Sequence, residues 1–148
     1  MHTFPVSMSS SELLARGTEV ARFSAENAAE IDRLGSFPEK EFAKMISAGL
    51  IVAPLGRSLG GLGLGFESQN IADLLRLLRI LGKGDLSVGR IYEGHVNGLQ
   101  LIQTFATPDQ VEHFAQNARG QQIFGVWNAE AGDGLKFRPL GRKRYELI

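Results

Sequence analysis

From Leu13 to Ala118 the apolar residues return at three- and four-residue steps, the spacing of α-helices that bury one face, and only the stretch 50–65 interrupts the pattern. A chain patterned this way folds as packed helices. The first starts at Ser9, whose hydroxyl caps it while Glu12, three residues on, completes a capping box. Its inner face carries Leu13, Gly17, Val20, Ser24, Ala28, Ile31 and Leu34, and the small members call for close contact with another helix. Gly35 ends it. Ser36 and Glu39 repeat the capping box with Pro38 in the first turn, and Phe42, Ile46 and Leu50 form the second stripe before Gly49 closes that helix.

Residues 50–54 read as extended, and LGRSLGGLGLG at 55–65 holds too many glycines for regular structure. Periodicity resumes with Ile71, Leu74, Leu75, Leu78 and Leu81, breaks at Gly82 and Gly84, and restarts behind a cap at Asp85. The buried face of that fourth helix holds Val88, Ile91, Tyr92, His95, Leu99 and Ile102, which sets a tyrosine and a histidine among aliphatic residues. Thr107, Pro108 and Gln110 open a fifth helix bearing Val111, Phe114 and Ala118. At Gly120 the character changes: QQIFGVWN favours β-structure, AEAGDG a loop, and 135–148 two strands around Gly141. The expectation is a mainly α chain, with a helical bundle over 1–120 and the truncated start of a β domain over 121–148.

Sixteen basic residues balance sixteen acidic ones, so no long-range field draws nucleic acid or anionic lipid, and function has to reside in a local site. The absence of cysteine excludes disulfides, thiolate metal sites and a cysteine nucleophile. With no signal peptide and no apolar run of membrane-spanning length, a cytoplasmic protein is expected.

Gly61, Gly63 and Gly65 are placed like a phosphate loop, but Pro54 interrupts the supposed strand and no lysine-serine or lysine-threonine pair follows, so a connecting loop is the reading. His2, His95 and His113 lack partners at ligand spacing, and no metal is expected. His95 has two readings on the residues alone: a hydrogen-bonded core histidine, or a ligand or proton-transfer group. Trp127, the one tryptophan, reads as sheet packing.

Taken in order, the helices, the glycine-rich loop, TPDQ at 107–110 and FGVWNAEAGDG at 124–134 resemble the N-terminal part of the acyl-CoA dehydrogenase superfamily. The resemblance implies a flavoprotein oxidoreductase with FAD, in which a helical domain precedes a β domain whose opening strand lies beside the isoalloxazine ring. It assigns cofactor contacts to Phe124, Val126, Trp127 and Asn128, the last two replacing the family's threonine-glutamate pair. Asp133 falls where the family has a serine that contacts the thioester, Gly132 on the second turn glycine, and Glu130 in place of the first. Tyr92, His95, Val96 and Leu99 are assigned to the substrate cavity.

The implied reaction removes hydrogens across a carbon-carbon bond next to the thioester of an acyl-CoA. Its carboxylate base belongs to a C-terminal domain outside this sequence, so no catalytic residue is assigned here. The alternative is a flavin-dependent monooxygenase of the same fold acting on an aromatic or heteroatom substrate. The chain is expected to be the front of a longer enzyme, inactive alone and binding flavin weakly or not at all. The full-length protein is expected to form a homodimer or homotetramer.

Overall fold

The computed structural model describes residues 8–126, 134, 136–142 and 144–147. These are mainly helical, with five α-helices and one antiparallel hairpin. Helix α1 (Ser10–Leu34) starts behind Ser9, whose Oγ accepts from the Glu12 amide, and ends at Gly35 in the left-handed region (φ 61°). The reciprocal half of the expected capping box is replaced by an ion pair, because the Glu12 carboxylate accepts from Arg16 at 2.6 Å.

Helix α2 (Glu39–Ser47) departs from expectation at its start: Pro38 is its cap residue and no side chain caps it. The Glu39 amide donates instead to the Phe37 carbonyl at 2.9 Å, a tight turn about Pro38 that removes the donor Ser36 was expected to meet. Helices α3 (Ile71–Gly84) and α4 (Leu86–Phe105) meet at Asp85, whose carboxylate accepts from the amides of Ser87 and Val88 and caps α4. Helix α5 (Pro108–Arg119) opens with the full capping box of Thr107 and Gln110.

Helices α1 and α3 run parallel, as three contacts in register show. Ser10 donates to the buried Asp73, a Cβ on Gly17 would sit 2.2 Å from Leu77 Cδ1, and one on Gly84 would sit 2.2 Å from the Ala21 carbonyl oxygen. The small residues on α1 therefore do serve a close crossing. Past Ala21, α1 outruns α3, which ends at Gly84. This is why Ala28 and Ile31 are only half-buried and Leu34 is exposed, although the stripe continues through them.

The α3 stripe is also rotated from expectation. Leu77 is fully buried, whereas Ile71 and Leu75 are exposed, because the doublets Leu74-Leu75 and Leu77-Leu78 allow two helical faces and the crossing with Gly17 selects one.

Residues 50–54 are a run of turns rather than an extended segment, and they lie at the centre of the core. Leu50, Ile51 and Ala53 pack with Phe42, Met45, Leu77 and Tyr92, while Val52 packs with Leu55, Leu99, Ala115 and Ala118.

The glycine loop folds back on this turn. Amides of Gly61, Gly63 and Leu64 donate inward to the carbonyls of Gly56, Leu55 and Ala53, so they are not presented to a phosphate. A Cβ on Gly61 would sit 2.0 Å from the Leu55 carbonyl oxygen, which leaves room for glycine alone.

Beyond α5, residues 122–126 form no strand. A strand needs a ladder partner, and the Phe124 amide finds its acceptor in a helix side chain instead. Strands β1 (Phe137–Gly141) and β2 (Arg144–Leu147) pair antiparallel, turning at Gly141 and Arg142 as the sequence indicates. Their Phe137, Leu140 and Tyr145 are all exposed.

Candidate functional site

The inward face of α4 gathers the polar side chains that the sequence singles out. Tyr92 and His95 are fully buried, and each closes a hydrogen bond to the central turn: Tyr92 Oη donates to the Leu50 carbonyl at 2.9 Å, and His95 Nε2 meets the Ile51 carbonyl at 2.7 Å. Two turns on, Gln103 donates through Nε2 to the Pro54 carbonyl at 3.1 Å and accepts through Oε1 from the Gly56 amide at 2.7 Å. Thus α4 adds side-chain hydrogen bonds to those that this irregular backbone makes to itself.

His95 has a second partner. Its Nδ1 lies 3.1 Å from the Phe124 backbone nitrogen. An amide can only donate and a carbonyl can only accept, so the ring is neutral and carries its proton on Nε2. Burial pushes the imidazole pKa down, partly offset by the Ile51 carbonyl, which favours the charged form. Burial likewise raises the Tyr92 phenol far above its ordinary range. Neither group is placed to lose or gain a proton at neutral pH.

Phe124 is seated by three neighbours. Its ring lies 5.8 Å from that of His95 and 6.0 Å, edge to face, from that of Phe114 on α5. Gly98 of α4 lies beneath, where a Cβ would come within 3.1 Å of Phe124 Cβ and 3.9 Å of Val126 Cγ1. Residues 122–126 therefore rest on a groove that α4 and α5 form together.

Of the residues singled out from sequence, Tyr92, His95, Val96 and Leu99 share one buried face of α4, with at most 1% of their surface exposed. Phe124 and Val126 lie half-buried across it. Trp127, Asn128 and Asp133 lie outside the described residues.

Sequence reasoning passed over Gly98 and Gln103. A glycine in the middle of a helix costs about 1 kcal/mol against alanine, so Gly98 is itself a sign of close approach. Gln103 continues the stripe of Tyr92, Val96 and Leu99 and marks a polar position that needs a partner.

Among the described residues there is no group of three acidic or histidine side chains that could hold a metal, and no helix is long and apolar enough to cross a membrane. Gly125 is exposed, and the amides of Gly125 and Val126 meet no acceptor among the described residues.

Comparison with known proteins matches residues 13–119 to the acyl-CoA dehydrogenase N-terminal domain, a span that closes at the last residue of α5. The chain is also similar to the probable FMNH2-dependent monooxygenase SfnC of Pseudomonas putida, with 28% identity over 122 residues. That is 82% of this chain and 30% of the relative, so the chain spans about a third of the relative's length. With the family model covering α2 to α5 whole and most of α1, the chain belongs to the acyl-CoA dehydrogenase superfamily through its N-terminal domain.

Proposed function

We propose that this chain is the N-terminal helical domain, to residue 120, and the opening of the β domain, from residue 121, of a flavin-dependent oxidoreductase. The seating of 122–126 on α4 and α5 carries the reading, because Trp127 to Asp133, which by family resemblance lie beside the flavin, follow directly from it. A flavin is compatible with what the segment offers. The amides of Gly125 and Val126 have no acceptor among the described residues, and the indole of Trp127 adds a donor or an aromatic face, though no hydroxyl. The Phe124 ring is turned to the bundle, so its part is to hold the segment. Tyr92, His95, Val96 and Leu99 would then shape the wall of the site from behind, with Asp133 facing the substrate.

Of the two reactions, monooxygenation by reduced flavin is favoured by the relative whose name carries that activity. Reduced flavin supplies two electrons, one oxygen atom of O2 enters the substrate and the other leaves as water. Asn128 and Asp133 point the same way. They stand where a dehydrogenase of this family has glutamate and serine, and a carboxylate at 133 is a poor neighbour for an anionic coenzyme A thioester. FAD-linked dehydrogenation of an acyl-CoA is the second reading, supported by the family description.

The test uses the polypeptide of the complete reading frame that contains this chain. It should bind flavin stoichiometrically and, given FMNH2 and O2, couple oxygen uptake to an oxygenated aromatic or heteroatom product. Anaerobic bleaching of bound FAD by an acyl-CoA would establish the dehydrogenase reading instead. Failure to bind either flavin would end both.

A further inference from the structure

We infer that His95 is a positioning residue: as the neutral Nε2–H tautomer it bridges the Ile51 carbonyl and the Phe124 amide, and a single proton on Nδ1 releases residues 122–126 from the bundle. The bridge rests on geometry. Nε2 lies 2.7 Å from an atom that only accepts, and Nδ1 lies 3.1 Å from one that only donates. Protonation of Nδ1 would set two N–H groups head to head in a fully buried position, and the Phe124 amide would lose its acceptor. The Ile51 bond is indifferent to that proton, so the ring stays attached to the core and lets go only of the segment.

Among the described residues, no charged side chain faces the ring to offset this. The central turn presents only the carbonyls of Leu50 and Ile51, and from α4 Tyr92 faces the ring with its hydroxyl committed to Leu50. From α5 the ring row continues through Phe114, whose neighbour is the exposed His113. Segment 122–126 carries no titratable side chain. Among the described residues His113 is the only other imidazole, and it serves as the control.

That release would move a flavin contact rests on the reading above. The tautomer and the hold on Phe124 do not, so the experiment addresses the chain itself. Trp127, three residues beyond Phe124 and the one tryptophan, reports on the segment by its emission. In 15N-labelled chain at neutral pH, NMR should find His95 as the Nε2–H tautomer. As pH falls below about 6.5, the ordinary histidine value, toward the lower pH at which the folded ring takes its proton, Trp127 emission should change. The Phe124 amide should lose protection from exchange about tenfold per pH unit, as expected for opening linked to one proton.

The same transition should appear in His113→Gln and be absent from His95→Gln, which offers a donor and an acceptor but does not titrate. His95→Phe should show the acid-state emission already at neutral pH. An Nδ1–H tautomer, or a transition that persists in His95→Gln, would overturn the inference. If His95→Phe does not fold, the wild-type tautomer and the protection of Phe124 decide it alone.

Discussion

The central turn and the C-terminal hairpin invert the usual relation between regularity and burial. Residues 50–54 hold no helix or strand, yet all are buried, whereas β1 and β2 pair in an antiparallel ladder, shifted once between Pro139 and Gly141, whose described side chains are exposed or half-buried. The difference lies in who satisfies the backbone. The strands of the hairpin bond to each other, with no hydrogen bond to the bundle among the described residues, while the turn borrows Tyr92, His95 and Gln103 from α4. An irregular segment can occupy a core when a neighbouring helix places polar side chains at the right turns, and that helix is then committed to the task.

This contrast can be broken in order of expected effect. Gly61→Ala drives a Cβ into the Leu55 and Val52 carbonyls and should cost on the order of 3 kcal/mol in urea unfolding followed by circular dichroism. Tyr92→Phe keeps the packing but leaves the Leu50 carbonyl only its longer bond from the Ala53 amide, a loss of about 1 kcal/mol in the same measurement. For His95 the sign follows from its depressed pKa. The unfolded ring binds a proton near 6.5 and the folded ring only at lower pH, so stability is full above about 6.5 and falls as pH drops toward the folded value. The slope in that window should approach about 1.4 kcal/mol per pH unit, and His95→Gln should remove it.

Gln121 sits in the left-handed region (φ 71°) just past α5, so Gln121→Gly should stabilise by about 0.5–1 kcal/mol if the segment is seated as described. Tyr145→Ala in the hairpin should change global stability by less than about 0.5 kcal/mol. A larger loss there would show that the hairpin does lean on the bundle.

Much of this was legible in the residues. Ser9, Asp85 and Thr107 cap the helices where their side chains imply, Gly35 and Gly49 end α1 and close α2, and Gly141 turns the hairpin. Tyr92 and His95 lie on the buried face that their spacing indicates. What could not be read depended on partners distant in sequence. The run 50–54 looks like a strand because its apolar residues are contiguous, but its hydrogen bonds are local turns completed by side chains more than forty residues away. Ile71 and Leu75 belong to one of two equally apolar faces of α3, and only the crossing with α1 chooses between them. QQIFGVWN has β-forming residues, yet 122–126 meets a helix before any strand. Glu41 is buried inside α2, where a carboxylate looks like surface until Asn27 on α1 is seen to bond it at 3.0 Å.

The most direct test of how α4 connects the core to the segment beyond it is amide hydrogen exchange at Phe124, measured at neutral pH beside Gly125 and Val126. The hydrogen bond to His95 predicts that the Phe124 amide exchanges more slowly than those of Gly125 and Val126, which have no acceptor among the described residues. Exchange of Phe124 as fast as that of Gly125 would mean that the segment is not held by the helix, and would contradict the account.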